Sequence, residues 1–131
     1  MLLDTPSLTI RFEPQENWLW VHWRGAHDAA SVFQDCNRLL ECAQQCGCTK
    51  ILNDSSEAYG EWWQAAEWIG QEFLPQLASA GVQAVAWVNA MDWPSRHAVA
   101  STMQYARGLT IRTFDFDELE AAQQWLYTVP V

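Results

Sequence analysis

Residues 83–89 read Gln83-Ala84-Val85-Ala86-Trp87-Val88-Asn89, an unbroken apolar run of strand length closed at each end by an amide side chain. A strand with one wet face would alternate polar and apolar residues, so this one is covered on both faces, as in a parallel sheet layered with helices. Upstream, Gly81 stops a helical segment. Downstream, Asp92-Trp93-Pro94-Ser95 opens another, with proline in the first turn, where its missing N–H has no partner to lose. Helix, buried strand and helix in succession make an α/β unit, with this run as the expected central strand.

The remaining elements follow outward from it. The helix opened by Asp92 carries Val99, Met103 and Ala106 as its expected buried stripe and stops at Gly108, before a last strand from Leu109 to Phe114. A final helix is expected to start at Asp115 as cap, with Glu118 as capping-box partner and Phe114 stapled against Leu119. On the upstream side, the helix stopped by Gly81 spans about twenty residues and contains Pro75, which predicts a kink or an altered last turn. It is preceded by Asp54-Ser55-Ser56-Glu57-Ala58-Tyr59-Gly60, read as a loop, and by a short strand from Lys50 to Asn53. Asp28 caps a first helix whose apolar positions Val32, Cys36, Leu39 and Ala43 recur at threes and fours until Gly47. Leu8 to Phe12 and Trp18 to Trp23 form an antiparallel hairpin. The expected order is β-β-α-β-α-β-α-β-α: a single α/β domain over residues 1–131, with an N-terminal hairpin and then a mainly parallel mixed sheet.

Composition excludes several functions. Sixteen acidic against seven basic residues give a net charge of −9, and the basic residues are spread singly, the reverse of a nucleic-acid-binding face. The same deficit argues against anionic membranes, and no apolar run approaches the roughly 20 residues of a membrane span. Met1-Leu2-Leu3-Asp4-Thr5-Pro6 shows no basic segment followed by an apolar one, so a soluble cytoplasmic protein is expected. Cys36, Cys42, Cys46 and Cys48 match no common zinc spacing and are read as small apolar fillers rather than as a metal site.

A set of marks runs through these elements. They are Trp23-Arg24-Gly25 closing the second strand, Leu52-Asn53-Asp54 ending the third, and Glu67-Trp68-Ile69 with Phe73-Leu74-Pro75 in the long helix. Gly81-Val82 before Ala86-Trp87-Val88, and Phe114-Asp115 before Ala121-Ala122 and Trp125-Leu126, complete the set. In this order the chain resembles the STAS domain, named for sulfate transporters and anti-sigma-factor antagonists. More specifically, it resembles small stand-alone STAS-like bacterial proteins, which are also related to the SEC14 lipid-binding fold. The resemblance implies a non-enzymatic regulatory module that works by protein binding. In the anti-sigma antagonists, a serine within an Asp-Ser-Ser-Gly type motif at the start of the second helix is phosphorylated and switches partner binding. Here Asp54-Ser55-Ser56 lies at the strand end, Glu57 stands where glycine is expected, and the position nearest that serine reads Ala58-Tyr59-Gly60. A phosphate beside Asp54 and Glu57 would meet like charge, so Ser55 and Ser56 are read as turn and capping residues.

Nine tryptophans in 131 residues remain to be placed. At about 100° per residue, Trp62 shares the core face of the long helix with Ala66, Ile69 and Phe73, whereas Trp63 and Trp68 lie on opposite flanks. One of those two is therefore expected to be partly exposed. Trp18 and Trp20 point to one side of the hairpin, which stays open unless a helix covers it. The candidate binding residues are accordingly Asp54, Ser55, Ser56, Tyr59, Trp63, Trp68, Trp18 and Trp20, an acidic and aromatic set for a protein partner or a second copy of the chain. No catalytic motif, cofactor motif or metal set is present, and His22 and His27 are read as packing or helix-start residues. A carrier of a small apolar or lipid ligand is the alternative, and it predicts an aromatic-lined cavity of roughly 300 Å³ or more.

Overall fold

Six strands form one sheet in sequential order in the computed structural model, which describes residues 2–106 and 108–130. The strands are β1 (Leu3–Asp4), β2 (Leu8–Glu13), β3 (Trp18–Ala26), β4 (Lys50–Tyr59), β5 (Ala84–Val88) and β6 (Thr110–Phe114). β1, β2 and β3 pair antiparallel; β3 to β6 are all parallel. The α/β architecture with its N-terminal hairpin is thus as expected, with β1 added at the edge. The run Ala84–Val88 is fully buried, yet it is the second strand from the edge, because β6 is the last strand to join.

The sequential order also decides where the helices go. When each parallel strand is laid beside the previous one by a crossover of the same hand, every crossover helix lands on the same face. That face carries α1 (Ala29–Cys46), α2 (residues 63–79) and α3 (Trp93–Tyr105), which bury Leu19, Val21, Trp23, Ile51, Val85 and Trp87. Among the described residues only α4 (Leu119–Thr128) returns beneath the other face, where Ala122 and Leu126 pack on Trp18, Leu52, Ala84, Ala86, Val88 and Phe114. No helix among the described residues is long and apolar enough to cross a membrane.

Local chemistry sets the boundaries. Asp28 caps α1 and forms a capping box with Ser31, and Gly47 ends it in the left-handed conformation (φ 66°). Val32, Cys36, Leu39 and Ala43 are its buried stripe, together with Asp35, which holds Ser7 Oγ and Arg38. α2 starts with a 3₁₀ turn (Trp63–Ala65) and contains a π-helical turn (Ile69–Phe73) that ends two residues before Pro75. The widened turn is the alteration that a proline demands, since its ring crowds the carbonyl one turn back and it has no N–H to donate. In α3 the buried stripe is Ser95, Ala98, Val99 and Thr102, so Val99 is buried as expected while Met103 and Ala106 are only partly buried against the core; the Thr102 hydroxyl enters the core by donating to the Ala98 carbonyl at 2.9 Å. Cys36 and Cys48 are buried core residues, and desolvation pushes both thiols up.

Two boundaries differ from expectation. α4 begins at Leu119 instead of beside Asp115, because the Asp115 carboxylate is taken by Arg96 and by the Phe116 amide. Only half of the expected box forms, with Glu118 Oε1 accepting the Asp115 amide at 2.7 Å. The second difference lies at the expected loop 54–60, whose residues through Tyr59 are strand. β3 runs on to Ala26 and supplies backbone partners, pairing Arg24 with Glu57, Gly25 with Ala58 and Ala26 with Tyr59 across a bulge. Polar, turn-forming side chains are held extended there by tertiary pairing.

Candidate functional site

The parallel strands β4 and β5 end on the same side of the sheet, and α2 and α3 start there. In open α/β sheets ligands bind outside this carboxyl edge. Here the edge is built around Gly60. Its φ is 119°, and a Cβ on it would sit 2.2 Å from the His27 carbonyl oxygen, so only glycine fits. The Gly60 amide donates to Asp92 Oδ2 at 3.0 Å, and the Gly60 carbonyl accepts from Ser95 Oγ at 3.2 Å. Asp92 Oδ2 also accepts the Ser95 amide at 3.2 Å, as the N-cap of α3. The end of β4 is thereby tied to the start of α3.

On this frame stand two exposed indoles. Trp63, the first residue of α2, is 54% exposed; Trp93, the first of α3, is 71% exposed. With Glu61, Pro94 and His97 they line an open groove of about 440 Å³. The His97 ring stacks on Trp93, 5.3 Å between centroids and 7° between planes. Tyr59, the last residue of β4, and Met91, in the loop between β5 and α3, are also exposed. Isolated exposed aromatics are common, whereas several at one edge of a sheet mark an interaction surface.

The expected site residues separate into groups. Tyr59 and Trp63 belong to this edge. Asp54 and Ser55 do not reach it: both are buried in β4, with Ser55 Oγ donating to the Val88 carbonyl at 2.6 Å and accepting from Trp87 Nε1 at 3.3 Å. Ser56 is half-buried, its amide bonded to Asp54 Oδ1 at 3.0 Å. Trp68 is half-buried against Phe33 of α1 and Phe73, with ring centroids 4.5 and 5.8 Å away. Trp18 is buried because α4 is the helix that covers this face, setting Tyr127 4.7 Å from its ring. Trp20 lies on the same sheet face, half-buried, with the Arg11 guanidinium 4.7 Å over it.

Trp93 and His97 are the residues that sequence reading missed. A usable signal existed: helices that follow adjacent parallel strands start at the same end, so aromatics at both helix starts must be neighbours.

Behind this edge, Trp23, Trp62 and Trp87 surround an internal cavity of about 30 Å³ that also touches His27, Asn53 and Ser55. Trp62 stacks on Trp87 at 6.3 Å, and Trp23 Nε1 donates to Asn53 Oδ1 at 2.7 Å. A neighbouring cavity measures about 20 Å³. Each has room for one or two waters. These two cavities fall well short of the roughly 300 Å³ that the carrier reading calls for, and the groove at the edge, which exceeds it, is open rather than enclosed. The His27 ring is buried with Nδ1 3.1 Å from Ser31 Oγ and Nε2 3.1 Å from the Arg24 carbonyl, so both nitrogens are committed to holding the start of α1. His22 Nε2 lies 3.4 Å from Glu57 Oε1 on the opposite face.

No curated protein matches the chain. The model of the SpoIIAA-like family matches residues 18–127, from the first residue of β3 to the last turn of α4. That span takes in the parallel sheet, all four helices and the aromatic edge, and the chain belongs to the SpoIIAA-like family.

Proposed function

We propose that this protein is a non-enzymatic binding module that engages a protein partner through the carboxyl edge of its sheet, with Trp63 and Trp93 as the principal contacts. Membership of the SpoIIAA-like family supports a regulatory or protein-interaction role. The single observation that carries the reading is the pair of indoles, each more than half exposed, in one groove on a hydrogen-bonded frame. Indoles fixed in advance contribute most to binding, because little side-chain entropy is lost on contact. Trp93 is already stacked on His97 before any partner arrives. A soluble, cytoplasmic setting fits an acidic chain that carries four free cysteines.

The experiment replaces Trp63 and Trp93 with alanine, singly and together. Mass is read by light scattering, and bound proteins are read by pull-down from the source cell. Both side chains are exposed, so the fold is expected to survive, and circular dichroism checks that it does. Loss of a specific partner, or of self-association, in the double variant supports the surface. An unchanged mass with an unchanged partner set contradicts it.

A further inference from the structure

The groove at the carboxyl edge has a chemistry narrower than "aromatic". Among the described residues its lining is two indoles, Pro94, the His97 ring and one carboxylate, the exposed Glu61, with no lysine or arginine. From these features we infer that the groove receives an arginine side chain of the protein partner, an inference that rests on the surface proposed above.

Three occupants compete for such a groove. An apolar side chain would pack on the indoles but would cover the Glu61 carboxylate without pairing it, and a charge covered unpaired is costly. An anionic group, phosphate included, would meet Glu61 and a chain of net charge −9. A cation meets the negative face of an indole and a carboxylate together. Among cations, guanidinium is planar, stacks on indole and pairs a carboxylate through two parallel N–H groups, which a compact ammonium does not do. The protein already shows this preference once: Arg11 lies over Trp20 at 4.7 Å while its Nε donates to Glu13. An indole, a guanidinium and a carboxylate are assembled there within one hairpin. At the groove the described residues supply the indoles and the carboxylate but no guanidinium.

None of the described arginines is free to supply that side chain from a second copy of this chain. All six basic side chains among the described residues are engaged. Arg11 pairs with Glu13, Arg24 with Asp4, Arg38 with Asp35 and Arg96 with Asp115, and Arg112 lies over the Phe114 ring. Lys50 is buried, donating to the carbonyls of Leu126 and Val129. A partner with a free arginine has no such pair to break.

The test uses the full chain, ¹⁵N-labelled, titrated with N-acetyl-arginine amide and, separately, with its uncharged isostere N-acetyl-citrulline amide. Indole N–H resonances are assigned from the Trp63→Phe and Trp93→Phe variants. The expected result is saturable movement of the Trp63 and Trp93 indole signals with the arginine probe and a much smaller movement with citrulline. Glu61→Gln is expected to weaken the arginine probe about two- to fivefold, in line with a single exposed charge contact. Equal response to both probes, or no response of these two indoles to arginine, overturns the inference. If that happens while Trp63→Ala with Trp93→Ala still releases the partner, the surface stands and only the identity of its occupant falls.

Discussion

Asp92 accepts the amide of Gly60 and the amide of Ser95 on the same carboxylate oxygen, at 3.0 and 3.2 Å. One side chain therefore caps the helix that carries Trp93 and clamps the strand end that leads to Trp63. Asp92→Ala removes both bonds, and a loss of about 1–2 kcal/mol is expected in urea denaturation, the upper part of the range for an N-cap. Asp92→Asn keeps an acceptor and should recover most of it. Equal losses in the two variants would show that the bridge contributes little.

Gly60 tolerates substitution less well than Gly47, although both have positive φ. At Gly47 an added Cβ meets nothing within 4 Å, so Gly47→Ala should cost only the strain of the left-handed conformation, about 1 kcal/mol. At Gly60 the Cβ meets the His27 backbone at 2.2 Å, and the strand end must move. Thermal melts are expected to rank Gly60→Ala well below Gly47→Ala, and the Trp93 indole resonance should shift only in the former.

Arg96 donates to Asp115 in front of α4 and also to the Ala90 carbonyl. The hydrogen bond from Arg96, helped by the Phe116 amide, holds the Asp115 carboxyl below its ordinary value of 3.8. A depressed folded value means that the stabilisation is fully present above the unfolded pKa and disappears as pH falls through the lower, folded one. A carboxyl-carbon NMR titration should find Asp115 titrating below an ordinary aspartate. Arg96→Gln should return it toward that value; a midpoint unmoved by the substitution would assign the shift to the Phe116 amide alone.

The Lys50 ammonium closes the end of α4 by donating to the Leu126 and Val129 carbonyls, tying the last helix to β4. Burial pushes its pKa down without removing those bonds. Lys50→Met leaves two carbonyls without their donor, and about 1–3 kcal/mol of stability should be lost, read by urea denaturation. Hydrogen exchange should rise first in α4, and uniform loosening of the whole chain would contradict this role.

The order of elements was legible because the buried run Ala84–Val88, the caps Asp28 and Asp92 and the stop at Gly47 act over a few residues. What escaped depends on partners distant in sequence. Asp54-Ser55-Ser56 reads as a turn, yet β3 holds it extended, and no local rule reports that β3 continues to Ala26. Asp115 reads as a cap until Arg96, nineteen residues away, takes its carboxylate. That one of Trp63 and Trp68 would be exposed followed from helical phase, and it is Trp63. Its pairing with Trp93 did not, because it requires knowing that β4 and β5 are neighbours.

The central claim is that the groove between Trp63 and Trp93 is where the partner sits. A photo-crosslinking amino acid placed at position 93, and for comparison at position 20 on the opposite sheet face, tests it in the source cell. The account predicts a discrete adduct from position 93 and none from position 20. An adduct from position 20 with none from position 93 would contradict it.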